Sequence, residues 1–275
     1  MNNTESAVTG MIDSHFHVLE MRKRTIDCEQ LFSSLFENGF AGGMDIGVDA
    51  QDVSERFEIL QNWPNVRIAA GLGPWHAQGD HDLDKLVGDV ARQWEALPID
   101  CIGEIGLDNY WNYGTRERQE RLFILQLDVA EQLGLPVAIH MRDADDQMQS
   151  IIKSRAFPYG GILHCYASSF EFAERAMKQN LLISFAGPIT YKNNNALREI
   201  LSKIPDESLL LETDSPYLAP HPFRGKTNTP MYICYIYREA SRIRSTSVES
   251  LVDVVKHNFE RVMGSSAKRV LTEVR

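Results

Sequence analysis

The sequence predicts a (β/α)8 barrel, a TIM barrel, in one domain. Two observations point to it. Short, almost wholly apolar runs alternate with longer segments of helical character, eight times between Ile12 and Glu212. His, Glu and Asp side chains also stand late in, or just after, five of those runs. Strands apolar on both faces belong to a buried parallel sheet. Eight uninterrupted βα units close such a sheet into a barrel. The competing arrangement is a doubly wound open sheet. Against it, no Gly-x-Gly-x-x-Gly fingerprint follows an early run. The candidate site residues are also spread over five strands, not gathered at one switch point.

The elements follow in order. Ile12-Asp13-Ser14-His15-Phe16-His17 is the first strand. Glu29 to Glu37 reads as a helix, Gly42 to Val48 as a strand, and Asp52 to Asn62 as a polar helix. Val66 to Leu72 is the third strand, followed by a helix from Asp82 to Leu97 with an acidic start. Cys101 to Leu107 is the fourth strand. The helix after it, Arg116 to Leu133, carries Leu122, Leu125, Val129 and Leu133 at helical spacing. Pro136 to His140, Gly161 to Cys165, Leu181 to Phe185 and Leu209 to Glu212 complete the strands. Helices at Asp143 to Ser154, Ser169 to Gln179 and Asn194 to Ile204 lie between them. A Pro-rich loop, Ser215 to Pro230, then leads to two further helices, Tyr232 to Ile243 and Val248 to Met263.

Composition narrows the function. The 275 residues are enough for one large domain or two small ones, and no linker divides them, so residues 1–275 read as one domain with a core of about 11–264. No apolar run approaches the about 20 residues of a membrane span. Met1 to Gly10 is polar and does not resemble a secretory leader. The cysteines, Cys28, Cys101, Cys165 and Cys234, are scattered without Cys-x-x-Cys spacing, as free thiols of a cytoplasmic protein would be. The net charge of −10, without any basic run, excludes a long nucleic-acid footprint. A nucleic-acid substrate would be gripped at few phosphates, for instance at an end.

The strand ends carry the chemistry. On an extended strand, side chains at i and i+2 share a face, so His15 and His17 can converge on one point. Glu104 lies in Gly103-Glu104-Ile105-Gly106-Leu107-Asp108. His140 precedes Met141-Arg142, His164 precedes Cys165-Tyr166, and Asp214 lies in Glu212-Thr213-Asp214-Ser215-Pro216. Strand C-terminal ends face the active site of such barrels. Four imidazoles and two carboxylates exceed one tetrahedral site with an open position. They suit two ions sharing a bridging carboxylate, about 3.5–4 Å apart, an arrangement that serves hydrolysis. Histidine and carboxylate ligands accept Zn, Mn, Fe or Ni, and less often Mg.

These motifs, with Tyr217-Leu218, Arg224-Gly225-Lys226 and His257-Asn258, resemble the TatD-type metal-dependent hydrolases of the amidohydrolase superfamily. The resemblance covers nearly the whole chain. It implies two divalent ions and, for many members, DNase activity, often as a 3′→5′ exonuclease. It implies that His15, His17, Glu104 and Asp214 hold one ion and that Glu104, His140 and His164 hold the other, with Asp214 as base. Three departures fall outside those six residues. The family often has Gly-x-His-Pro where this chain has Gly71-Leu72-Gly73-Pro74, and His76 is the candidate replacement. Tyr166-Ala167-Ser168 stands for Phe-Ser-Gly, and Asn228-Thr229-Pro230 for Asn-Glu-Pro.

The expected activity is metal-assisted hydrolysis. Arg142, Arg224 and Lys226 are the candidates to hold phosphate oxygens. The partner is then DNA, at single-stranded ends, or a small-molecule substrate. A rival hydrolase would cleave an amide, ester or lactone on the same metal pair. A metal-binding scaffold without turnover is the non-enzymatic alternative.

Overall fold

The computed structural model describes residues 8–49 and 51–264. The single-domain reading of 1–275 extends past both limits. Residues 1–7 of the polar start also lie outside the described residues.

Eight strands form one parallel sheet in sequence order. They are β1 (Ile12–Phe16), β2 (Gly42–Ile46), β3 (Val66–Ala70), β4 (Cys101–Asp108), β5 (Val137–Arg142), β6 (Gly161–Leu163), β7 (Leu181–Phe185) and β8 (Leu209–Leu211). The seam between β8 and β1 closes just past the strand ends. Asp214 N–H donates to His15 O at 2.9 Å, and His17 N–H donates to Ser215 O at 2.8 Å. The expected (β/α)8 barrel is the observed one.

Ten helices surround the sheet among the described residues: α1 (Val18–Lys23), α2 (Cys28–Glu37), α3 (Val53–Leu60), α4 (Leu83–Glu95), α5 (Arg116–Leu133), α6 (Asp145–Ser154), α7 (Phe170–Lys178), α8 (Asn195–Lys203), α9 (Ile233–Arg244) and α10 (Val248–Met263). Side-chain caps set several starts. Asp27, Asp82, Thr115, Ser169 and Ser247 each accept the backbone N–H three residues on. Helix α5 also carries two buried glutamines seven residues apart. Gln119 pairs with both backbone groups of Asp108, and Gln126 with both of Leu72, so the chain leaving β4 and β3 keeps its hydrogen bonds.

Four strand ends that bear on the site differ from expectation. The first strand stops at Phe16, and His17 opens α1, a helix not anticipated. β6 and β8 end at Leu163 and Leu211, so His164 and Asp214 stand on turns beyond them. Cys165 and Asp214 adopt positive φ, 45° and 55°, which turns the chain out of the ladder. β5 runs on through Arg142, and Asp143, at φ 52°, separates it from α6. No disulfide joins any of the four cysteines. No helix among the described residues is long and apolar enough to cross a membrane.

Candidate metal centre

The six expected residues meet at the C-terminal mouth of the barrel. His15 Nε2 and His17 Nε2 are 3.1 Å apart, and Asp214 Oδ1 lies 3.8 Å and 3.4 Å from them. Across the mouth, His140 Nδ1 and His164 Nε2 are 3.2 Å apart. The His15 and His164 rings stack at 3.9 Å between centroids and join the two halves.

Glu104 stands between the halves. Its Oε1 is 2.7 Å from His140 Nδ1 and 3.1 Å from His164 Nε2. Its Oε2 is 3.8 Å from His15 Nε2 and 3.9 Å from His17 Nε2. The motif around it is explained locally. Pairing with β5 shifts between Ile102 and Ile105, where three steps on β4 face two on β5. Such a bulge re-aims side chains. Gly106, at φ 144°, has no room for a Cβ, which would stand 2.0 Å from His140 O.

Neighbouring groups select the ring nitrogens left free to bind. His17 Nδ1 donates to Ile46 O at 3.0 Å. His140 Nε2 faces Asp108 Oδ2 at 2.9 Å, and His164 Nδ1 faces Glu212 Oε1 at 3.3 Å. In each ring the other nitrogen is directed into the cluster, as in metal-binding imidazoles backed by a carboxylate or carbonyl. Glu212 is fixed in turn by Cys165 N–H, which donates to Oε1 at 2.7 Å. Asp13 is fixed by the Thr213 N–H and hydroxyl at 2.8 Å and 2.6 Å.

The donor set fits divalent ions. Ligand atoms about 2.0–2.1 Å from one tetrahedral ion lie about 3.3 Å from each other. The 3.1 Å and 3.2 Å nitrogen pairs are close to that edge. Ligand atoms of His15, His17 and Asp214, and of His15, Glu104 and His164, form groups within 4.8 Å.

The electrostatics describe a cluster waiting for positive charge. Burial opposes charging of His164, but the Glu104 carboxylate and then Glu212 outweigh it and hold the imidazole well above its ordinary value. His140 is raised against burial by Asp108 and Glu104, and His17 by Asp214 and Glu104. Burial also works against the Glu104 charge, yet His164 and His140 hold its carboxyl well below the usual range. His15 goes the other way. Burial, then the adjoining imidazoles of His164 and His17, push it well below the ordinary value. The carboxylates of the cluster thus favour positive charge beside them, which a divalent ion would supply in place of protons.

The remaining expected residues are dispersed. Arg142 lines a cavity of about 460 Å³ together with His140, His164 and Asp214. Arg224 lies over Tyr191, 4.5 Å from the ring centroid, and Lys226 lies 5.8 Å from that of Phe223. His76 sits in a 3-10 turn, Pro74–Ala77, with its ring beside Trp75. Among the described residues no hydrogen bond or ion pair joins His76 to the six. Gly73 explains the altered motif there. A Cβ on it would stand 2.2 Å from the Trp75 indole, so that ring fills the space a histidine side chain would need. Reading by strand ends did not assign Asp108 and Glu212, although both lie in the motifs quoted. Their signal was a carboxylate a few residues from each cluster residue, and their roles emerge only from contacts across the barrel.

A (β/α)8 barrel with this imidazole–carboxylate cluster at its C-terminal mouth is built as a metal-dependent hydrolase. The family described as TatD related DNase matches residues 12–264. The chain is 31% identical over 256 residues to the uncharacterized metal-dependent hydrolase YabD of Bacillus subtilis, covering 92% of this chain and 98% of that protein. It is 28% identical over 248 residues to the 3′-5′ ssDNA/RNA exonuclease TatD of Escherichia fergusonii, covering 87% of this chain and 94% of the relative. The crystal structure of YJJV, a TatD homologue from Escherichia coli K12, superposes with a TM-score of 0.82 at 24% identity, covering 94% of this chain and 99% of the other. The chain belongs to the TatD family of metal-dependent hydrolases.

Proposed function

We propose that the protein is a phosphodiesterase that removes nucleotides from the 3′ ends of single-stranded nucleic acid, using two divalent ions. The observation that carries this is the division of Glu104, with Oε1 toward His140 and His164 and Oε2 toward His15 and His17. One ion would be held by His15, His17, Asp214 and Glu104, and the other by Glu104, His140 and His164. Bound there, the ions would supply Lewis acidity, lowering the pKa of a water and neutralising charge on substrate oxygens.

The chain's own residues do the rest. The Asp214 carboxyl takes the proton of the attacking water. Asp108 and Glu212 hold His140 and His164 in the tautomers that leave Nδ1 and Nε2 free. Arg142, in the wall of the cavity, binds and orients a phosphate. The relative named as a 3′-5′ ssDNA/RNA exonuclease supports the nucleic-acid reading.

The test is protein reconstituted separately with Zn, Mn, Mg, Fe and Ni and offered single-stranded DNA labelled at its 5′ end, then ester, lactone and amide panels. A ladder of stepwise 3′ shortening supports the proposal. Turnover of a carbonyl substrate with every nucleic acid left intact overturns it.

A further inference from the structure

The chain leaving β4 carries a feature that barrel packing does not explain. Tyr110 and Trp111 are 55% and 52% exposed, the two most exposed large hydrophobic side chains among the described residues. They are presented by a fixed backbone. Asp108 Oδ1 accepts both N–H groups at 3.0 Å and 3.1 Å, while Asp108 Oδ2 faces His140. The rings meet edge to face at 4.8 Å. The Arg142 guanidinium lies over Tyr110, 3.8 Å from the ring centroid, and 5.8 Å from that of Trp111. Among the described residues this guanidinium makes no hydrogen bond or ion pair, so its N–H groups are available to a ligand. Arg142 also lines the cavity that contains His140, His164 and Asp214.

We infer that Tyr110, Trp111 and Arg142 form a stacking platform for an unpaired nucleobase of the strand being degraded. Exposed aromatic faces beside an arginine bind bases in single strands, because every base has a π-face. A base inside a duplex already has both faces covered and cannot use them. The overall charge argues the same way. With a net charge of −10 the chain can rely on only a few phosphate contacts, and stacking supplies affinity that salt does not remove. Asp108 ties the two ends together, since one carboxyl orients His140 and fixes the loop that carries the rings. This inference rests on the nuclease reading for its substrate class, and it predicts where specificity for single strands arises.

Two measurements separate the inference from that reading. The first is the intrinsic tryptophan fluorescence of the metal-loaded protein titrated with a cleavage-resistant phosphorothioate oligothymidylate. Of the other tryptophans, Trp63 and Trp94 are buried and Trp75 is half-buried, so Trp111, the most exposed indole, should carry most of the quench, and Trp111→Phe should remove that part. The second is steady-state cleavage of oligothymidylate by Trp111→Ala and by Tyr110→Ala, with an expected rise in KM on the order of ten-fold and kcat retained. If the wild-type protein shortens the oligonucleotide and both variants do so with unchanged KM, the platform is overturned while the nuclease reading stands. If no nucleic acid is cleaved but the Trp111 quench is present, the nuclease reading fails and the platform stands. No cleavage and no quench overturns both.

Discussion

Glu212 Oε1 faces His164 Nδ1 at 3.3 Å and also accepts the Cys165 N–H, so one carboxyl fixes both an imidazole and the turn that carries it. Such outer partners of metal-binding histidines typically account for about 10–100-fold in metal affinity or activity. Glu212→Ala should weaken metal binding at the proposed site of Glu104, His140 and His164 by that order and leave the proposed His15–His17 site less affected. Metal titration by calorimetry, resolving two classes of site, measures this. Equal weakening of both classes would contradict it.

Glu104→Ala should be the most damaging change among the six. Its loss removes a contact from both histidine pairs and, in the proposed two-ion site, would leave two like charges facing each other. His15→Ala should lower occupancy mainly at one site. Metal content and turnover at saturating metal decide between them. A Glu104 variant that keeps two ions and near-normal turnover would remove the bridging assignment.

The pH dependence has a definite sign. His17, His140 and His164 are held above the ordinary imidazole value. Such groups stabilise the folded chain fully below the unfolded value, and this fades as pH rises through the folded one. Glu104, held low, contributes above the ordinary carboxyl value and fades only as pH falls through its lowered one. Chelated protein should therefore lose this histidine contribution as pH rises from neutral. Metal binds the deprotonated rings and gains over the same range. The difference in Tm between metal-loaded and chelated protein should widen with rising pH. A difference that narrows would contradict the assignment.

Binding of single strands should depend weakly on salt. If Arg142, Arg224 and Lys226 each meet one phosphate, the slope of log affinity against log salt is about −2. Linear single strands should shorten from the 3′ end while a supercoiled circle persists. A much steeper slope, or rapid nicking of the circle abolished by Asp214→Asn, would reject the end-directed reading.

Arg56 is wholly buried and donates to Asp45 Oδ2, Asp52 Oδ1 and Ala69 O at 2.8, 2.8 and 2.7 Å. Asp45 in turn accepts the Val18 N–H, next to His17. Arg56→Ala leaves the buried Asp45 carboxyl without its partner and should cost about 3–5 kcal/mol, read by urea unfolding. Loss of under about 1 kcal/mol would show that the network is replaceable.

The barrel and the convergence of the six residues were legible because both follow from local pattern. Apolar runs mark buried strands, and strand ends mark one face of the barrel. What was illegible depends on neighbours distant in sequence. Nothing local tells that Asp108 will meet His140, that Glu212 will meet His164, or that an arginine in the polar segment Asp52 to Asn62 will be fully buried. The bulge at Gly103–Glu104 was likewise invisible, since alternation assumes regular pairing. Among the substrate candidates, Arg142 was found in the cavity wall because it follows His140 by two residues on the same strand. His76 followed a motif position that the Trp75 ring has taken over.

The seam between the first and last strands has a consequence for biosynthesis. Asp13 and Thr213, bonded across it, are 200 residues apart, and the same seam carries His15, His17 and Asp214. A ribosome-bound chain that has not yet released Asp214 lacks one wall of the cluster, however well its early strands have folded. The complete constellation is therefore a late product of translation, and a hydrolase assembled this way stays inert until its eighth strand has emerged and docked.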